Sequence, residues 1–314
     1  MDEGTLPTVD ELAALHFRVA ARLAVLERKE KDYEALFQAL MSAKHGRDFV
    51  QVRPAGSVGD RKCDGYLRAS DTVFQSYAPR ELKNATTAQK IREDFEGGRA
   101  QWPTMRGWTF VHNDERGLPP DAAQALLDVA AANPAVDVAV WGPGEVRALS
   151  DGLELEQLTD LFGPPPRKED LLALGYADIA PVVRAVALDL AGSADGSPSG
   201  RAVDPRKLEH NRFGDASELM LRLGLTGAGA VEAYFADQPD ALLRDRIAGA
   251  MADRYAVLRG RGLSPDAILH KLLDPLTAHA TTTRETSASY AVVAHLFETC
   301  DIFENPPARA TAST

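Results

Sequence analysis

The sequence predicts an α/β domain built around a mixed sheet, followed by an all-helical domain. Three observations support this fold class. Residues 107–142 read as strand, helix and strand with short connections, a pattern typical of two parallel strands joined by a crossover. Residues 59–79 read as an antiparallel hairpin. After a stiff Gly-Pro-Pro-Pro-Arg linker at 163–167, only helical spacing appears.

The elements of the first domain follow from capping signals, apolar periodicity and turn residues. They are a helix from the capping box Thr8–Glu11 with a break near 28–31, a second helix through Met41 ended by His45-Gly46, a strand at 49–54, hairpin strands at 62–67 and 72–77, a helix at 83–97 ended by two glycines, a strand at 107–113, a helix at 119–132, a strand at 136–142, and helices from 143 and 154. This order describes an α/β sandwich with a mixed central sheet.

The predicted domain boundaries follow composition. Residues 1–163 form the α/β domain with its N-terminal helical extension, and residues 164–306 form the helical domain. Within the helical domain, residues 191–204 are polar and of low complexity, which predicts a flexible segment. Residues 307–314 are small and polar, so we expect a disordered tail.

Composition also limits the classes of function. The net charge of −11 argues against a protein that coats nucleic acid by bulk electrostatics, although a local basic groove suffices for a nuclease. No apolar run approaches the roughly 20 residues of a membrane helix, and the acidic N-terminus lacks a signal-peptide pattern. Cys63 and Cys300 form neither a disulfide framework nor a zinc motif. We expect a cytoplasmic protein without membrane contact.

The hairpin contains the residues best suited to chemistry. A turn centred between Ala69 and Ser70 would place Asp64 opposite Gln75 and Lys62 opposite Tyr77, with directly opposed Cβ atoms about 5 Å apart. A carboxylate, an amide oxygen and the Ser76 carbonyl could then bind one hard cation, because Mg²⁺ prefers oxygen ligands.

Each candidate residue also has an ordinary structural interpretation. Asp64 lies in a charge-rich turn where a salt bridge is an equal alternative, and Glu34 could simply lie on a solvated helix face. Gln75 could be a polar residue on a half-exposed strand, but an unpaired amide is costly if that strand is buried. His112-Asn113, at the end of a parallel strand, reads more readily as a strand-end turn than as a functional site.

Taken together, a helix acid at Glu34, Asp64 in the hairpin, and Gln75-x-Tyr77 on the next strand resemble the PD-(D/E)XK nuclease superfamily. That family has a restriction-endonuclease-like αβββαβ core, and its Mrr-like branch carries Gln at the position of the strand acid. The resemblance implies a Mg²⁺- or Mn²⁺-dependent DNA endonuclease in which Asp64 and Gln75 bind the metal and Glu34 assists from the helix.

The sequence departs from the family pattern at its lysine, where Tyr77 stands. A neutral phenol cannot stabilise an attacking hydroxide as an ammonium group does. The predicted register offers Lys62 as a replacement, because it faces Tyr77 across the hairpin. Lys83 and Lys90, on the following helix, are weaker candidates for the same role.

Three segments, GDRKCDGY, FQSYAP and HLFETCDIFENP, resemble proteins of the ABC-three-component systems of bacterial conflict. That resemblance implies defence against phage or plasmids beside an ABC-class ATPase and a small middle component, with the helical domain docking these partners. Apolar residues near the end of the helical domain are either a docking patch or ordinary core; they are Tyr290, Val292, Val293, Leu296, Phe297, Ile302 and Phe303.

The sequence is therefore compatible with two functions. The first is a metal-dependent DNA endonuclease effector. The second is a degenerate nuclease fold that binds nucleic acid or protein as an adaptor, with Tyr77 marking the lost chemistry. The sequence leaves open whether the protein forms a homo-oligomer.

Overall fold

The computed structural model describes residues 9–52, 62–189, 206–277, 280–299 and 302–306. The chain divides into two compact units: residues 20–162, here called the sheet unit, and residues 163–314 together with 1–19, here called the helical unit. The first helix thus begins in the helical unit, whereas the sequence placed all of 1–163 in one domain. The predicted flexible segment 191–204 and tail 307–314 lie outside the described residues.

The sheet unit contains five strands in the order β1-β2-β3-β4-β5. Strands β1, β2 and β3 pair antiparallel, and β3, β4 and β5 pair parallel, so the predicted mixed sheet is confirmed. Its elements are α1 (Val9–Glu27, shared with the helical unit), α2 (Glu30–His45), β1 (Phe49–Gln51), β2 (Gly65–Leu67), β3 (Thr72–Ser76), α3 (Asn84–Gln101), β4 (Gly107–Val111), α4 (Pro120–Ala132), β5 (Asp137–Trp141), α5 (Pro143–Ala148) and α6 (Leu155–Phe162).

Side-chain alternation along the strands divides the core of the sheet unit into two layers. Phe74 packs in the layer that contains Tyr33, Phe37 and other residues of α2. Its neighbour Val73 packs in the layer that contains residues of α3 and α4, including Ile91. Because successive strand residues point to opposite faces, Gln75 belongs on the α3 and α4 face with Val73.

Helix α3 continues through the two glycines that the sequence analysis took as its end. The helix runs to Gln101, and Gly97 and Gly98 lie inside it. A Cβ atom at Gly97 would lie 2.6 Å from Lys62 Cγ, so this glycine leaves room for the lysine side chain to cross the helix. The predicted helix end was therefore wrong, because the glycine serves close packing rather than a C-cap.

The helical unit has no strand in its described residues. Its helices are α7 (Lys168–Leu172), α8 (Tyr176–Asp189), α9 (Lys207–His210), α10 (Asp215–Thr226), α11 (Ala228–Ala236), α12 (Leu243–Gly260), α13 (Pro265–Thr277) and α14 (Thr283–Thr299). Helix α14 lies at the centre, because every residue from Thr286 to Phe297 is buried and the helix packs against α7, α8, α10, α11 and α13. Gly224 of α10 permits one of these contacts, since a Cβ atom there would lie 2.6 Å from the backbone oxygen of Tyr290.

The apolar residues near the end of the chain belong to this core. All seven, from Tyr290 to Phe303, are 5% exposed or less. The interpretation of these residues as a surplus docking patch is therefore wrong, and the alternative of ordinary core is confirmed.

Buried histidines are a further feature of the helical unit. Burial lowers the pKa of His16 to about 3, with repulsion from His270 as a smaller cause. Burial also lowers the pKa of His270 to about 4, and burial followed by repulsion from Arg244 lowers that of His295 to about 4. These side chains are neutral at pH 7.

No helix in the part of the chain that the structure describes is long and apolar enough to span a lipid bilayer.

Candidate active site

The β2–β3 hairpin has the register that the sequence predicts. Gly65 pairs with Phe74 and Leu67 with Thr72, and continuing this register places Asp64 opposite Gln75. Strand β2 is shorter than predicted, because it begins at Gly65. Lys62 has a φ of 56°, in the left-handed region, so it departs from the extended backbone that the sequence analysis assumed.

Asp64 lies at the end of this pairing and holds the last residue of β3. Its side chain is 3% exposed, and Oδ2 accepts hydrogen bonds from the Ser76 backbone N–H at 2.6 Å and from Ser76 Oγ at 2.8 Å. The carboxylate thus satisfies a backbone donor at the end of β3. Ser76 entered the prediction as a carbonyl ligand, and the structure adds that its N–H and hydroxyl orient Asp64.

The side chain of Gln38, which was not among the predicted site residues, connects Glu34 to the backbone of Asp64. Gln38 Nε2 lies 2.8 Å from the Asp64 backbone oxygen, 3.4 Å from the Val52 oxygen and 3.2 Å from Glu34 Oε1. Helix α2 places Glu34 and Gln38 one turn apart on one face, so their side chains meet. The signal available in the sequence was this four-residue spacing.

Gln75 is buried without a partner for its side-chain oxygen. The residue is 4% exposed, and Oε1 has no hydrogen-bond partner among the described residues. A buried unpaired amide oxygen costs about 1–3 kcal/mol, so such atoms call for an explanation, of which an ion or a water molecule is the usual one.

Lys62 forms a charged cluster with Lys90 and Asp94 of α3, and Tyr77 lies beside this cluster. Asp94 is fully buried, and it pairs with Lys62 Nζ at 3.0 Å and with Lys90 Nζ at 2.7 Å. Lys90 Nζ also lies 5.8 Å from the centre of the Tyr77 ring. Within the described residues, the ion pair of Lys62 is therefore with Asp94. Lys83, the other helix lysine considered, is exposed at the N-cap of α3.

The structure thus groups the predicted residues in two sets. Hydrogen bonds connect Glu34, Gln38, Asp64 and Ser76, and ion pairs connect Lys62, Asp94 and Lys90 beside Tyr77. Gln75 precedes Ser76 in the chain, and its Oε1 makes no hydrogen bond to the described residues of either set. Lys90 was among the predicted alternatives for the lysine, whereas Asp94 was missed; its one signal in the sequence is its position four residues after Lys90, a spacing common on solvated helix faces.

The donor set fits a hard cation with few protein ligands. No group of three His, Cys, Asp or Glu side chains suited to a metal occurs in the described residues. Two buried groups nevertheless lie on opposed positions of the hairpin: the Asp64 carboxylate, and the Gln75 amide oxygen, which has no partner in the part of the chain that the structure describes. Mg²⁺ needs only one or two protein carboxylates because it keeps several waters.

Comparison with known proteins bears on the helical unit. Residues 177–304 match the family model of C-terminal domain 10 of the ABC-three component (ABC-3C) systems. No curated protein and no solved structure matches the sequence. The match supports the ABC-3C part of the resemblance, and it does not extend to the sheet unit.

Proposed function

We propose that this protein is a metal-dependent DNA endonuclease and the effector of a bacterial defence system of the ABC-3C type. The main support for the proposal is the buried Oε1 of Gln75, which has no hydrogen-bond partner among the described residues and is in register with Asp64. The element order α2-β1-β2-β3-α3-β4-α4-β5 agrees with the αβββαβ core of the PD-(D/E)XK family. The ABC-3C domain at residues 177–304 supports the defence setting.

In this proposal Asp64 and Gln75 bind Mg²⁺ or Mn²⁺. The cation, when bound, supplies the charge that lowers the pKa of water and neutralises a phosphate oxygen. Ser76 orients Asp64 through the two hydrogen bonds to Oδ2, and Gln38 holds Glu34 beside the Asp64 backbone. These contacts fix the site before DNA arrives, which is the condition for effective electrostatic catalysis.

The family lysine is replaced in this proposal by an ammonium group of the Asp94 cluster. Lys62 remains our candidate, and Lys90 is the competing one because it lies over the Tyr77 ring. Asp94 holds both ammonium groups in place. Removing a preorganised charge at a developing oxyanion costs on the order of 10²-fold or more in rate.

The proposal is tested by cleavage of plasmid and single-stranded DNA in Mg²⁺ or Mn²⁺. We expect wild-type protein to nick or cut DNA and Gln75→Ala to lose that activity. Gln51→Ala is the matched control, because Gln51 is an exposed amide in the same sheet whose Nε2 bonds to Ser42 Oγ. Equal rates for Gln75→Ala and wild type would contradict the role of Gln75 in binding the metal.

The alternative function is an adaptor with a degenerate nuclease fold. The observations that favour it are Tyr77 at the lysine position and the pairing of Lys62 with Asp94. An adaptor would bind DNA or a partner protein without metal-dependent cleavage. Intact substrate in the assay above, together with DNA binding that EDTA leaves unchanged, would favour the adaptor.

We further propose that the helical unit docks an ABC-class ATPase and a small middle component. The match to an ABC-3C domain carries this proposal, since such systems have several components. Co-expression of the tagged chain with the two proteins encoded beside it tests the idea, with the same tag on an unrelated protein as the control. Failure of both proteins to copurify would contradict it.

A further inference from the structure

A cavity lies where the parallel strands β3 and β4 end, inside the sheet unit. Its volume is about 330 Å³, and its walls are the turn between α1 and α2, the segment after β3 and the segment after β4. We call it the strand-end cavity. In open α/β sheets, ligands bind in crevices at the carboxyl ends of the strands, and pockets of about 300–1,000 Å³ hold small molecules.

The walls of the strand-end cavity are fixed by buried hydrogen bonds. Asn113, only 4% exposed, donates from Nδ2 to the Arg28 backbone oxygen at 2.7 Å. The Glu30 backbone N–H donates to the Ala78 oxygen at 2.8 Å. These two bonds tie the α1–α2 turn to both strand ends, so the cavity is preformed.

The carboxylates at the strand-end cavity already have cationic partners. Asp114 accepts hydrogen bonds from Arg116 Nε at 3.0 Å and Nη2 at 2.7 Å, which holds the pKa of Asp114 below its ordinary value. Glu115 pairs with Arg22 at 3.5 Å. Each of these two carboxylates is therefore paired with an arginine, and Asp114 also attracts the Lys29 ammonium.

Two cations of the wall, Lys29 and Arg80, form no ion pair within 4 Å among the described residues. Lys29 is half-buried, and its ammonium group donates to the Leu26 backbone oxygen at 3.0 Å. Burial lowers the pKa of Lys29, and the weaker attraction of the Asp114 and Glu27 carboxylates opposes that shift. Arg80 is exposed and makes no hydrogen bond or ion pair to the described residues. An arginine and a lysine that line one cavity and form no ion pair with the described residues are suited to an anion, and the planar fork of arginine suits phosphate oxygens.

We propose that the strand-end cavity binds a phosphate monoester. The Lys29 ammonium and the Arg80 guanidinium take the phosphate oxygens, and the side chains of Leu26, Pro79 and Leu82 lie against the group that the phosphate carries. The same chemistry is offered by a free nucleotide and by the phosphorylated end of a DNA strand. This inference does not rest on the proposed nuclease, because it uses none of the residues assigned to cleavage.

The test is isothermal titration of the full-length chain in EDTA, so that cleavage cannot contribute. The probes are inorganic phosphate, adenosine monophosphate, and a DNA trinucleotide with and without a 5′-phosphate. We expect a phosphorylated probe to bind with a Kd of about 1 mM or tighter, and removal of the 5′-phosphate to weaken binding about tenfold or more. If adenosine monophosphate binds more tightly than the 5′-phosphorylated trinucleotide, the ligand is a free nucleotide. If the trinucleotide binds more tightly, the ligand is the phosphorylated end of a DNA strand.

Two variants and one control complete the test. Arg80→Ala should weaken binding about tenfold without unfolding the protein, because the side chain is exposed and bonds to none of the described residues. Lys29→Ala should weaken it similarly. Arg99→Ala, an exposed arginine at another groove, should leave binding unchanged. Failure of every phosphate probe to bind, or equal weakening by Arg99→Ala, would overturn the proposal.

Discussion

The bond between Asp64 and Ser76 makes a prediction about stability that is separate from catalysis. Asp64→Ala removes the acceptor of two hydrogen bonds, at 2.6 and 2.8 Å, from a site where the aspartate is 3% exposed. A hydrogen bond to a charged group contributes about 1.5–3 kcal/mol, and an unsatisfied buried donor costs about 1–3 kcal/mol. Because Ser76 is half-buried and water can reach it in part, we expect Asp64→Ala to lower the free energy of unfolding by about 2–3 kcal/mol.

The isosteric Asp64→Asn variant separates shape from charge. Its amide oxygen can still accept from the Ser76 N–H, so we expect a smaller loss of about 1 kcal/mol. Ser76→Ala removes the hydroxyl bond and keeps the backbone bond, and it should cost about 0.5–1.5 kcal/mol.

Urea unfolding of the three variants, followed by circular dichroism in EDTA, provides the assay. EDTA removes any stabilisation by bound metal, so that only the hydrogen bonds are compared. Equal losses of unfolding free energy in Asp64→Ala and Asp64→Asn would contradict this prediction. They would show that an acceptor oxygen at position 64 does not stabilise the fold through Ser76.

Three further predictions concern other parts of the molecule. Lys62→Ala should lower the cleavage rate on the order of 10²-fold; a rate within a few-fold of wild type, with Lys90→Ala crippled instead, would transfer the role to α3. The stability of the helical unit should fall by about 2 kcal/mol from pH 7.5 to 5 through His16 alone, because the unfolded chain binds a proton below pH 6.5 whereas the folded pKa is about 3. His16→Phe should remove that part of the loss in urea titrations at the two pH values, and an unchanged loss would contradict the assignment. Gly224→Ala should lower the melting temperature because its Cβ meets the α14 backbone, whereas Gly229→Ala, with open space around it, should not; equal melting temperatures would contradict the close packing.

The register of the hairpin could be predicted because turn residues and alternation determine it locally. The four residues at 68–71, three of them polar, form the turn, and the pairing of Gly65 with Phe74 follows from it. The backbone of Lys62 could not be predicted, since a left-handed φ at a lysine has no sequence signal. The lysine consequently lies outside the strand.

The Asp94 cluster illustrates a second limit of the sequence. Asp94 is fully buried, and one of its two lysine partners, Lys62, lies 32 positions earlier in the chain and reaches it past Gly97 of α3. Composition around Asp94 resembles a solvated helix face, so its burial depends on tertiary packing that local periodicity does not encode. For the same reason the sequence left two interpretations of the apolar residues near the end of the chain open, because a helix buried on all sides has more apolar residues than one buried face needs.

Metal-dependent cleavage at the hairpin is tested by the plasmid-cleavage rate at rising Mg²⁺ or Mn²⁺ for wild type and Asp64→Asn. Asp64→Asn keeps an acceptor for Ser76 but loses the carboxylate charge that a divalent cation needs. We expect the wild-type cleavage rate to rise with metal concentration and to fall to zero in EDTA, and we expect no cleavage by Asp64→Asn. Cleavage by Asp64→Asn at the wild-type rate, or cleavage that persists in EDTA, would contradict that expectation.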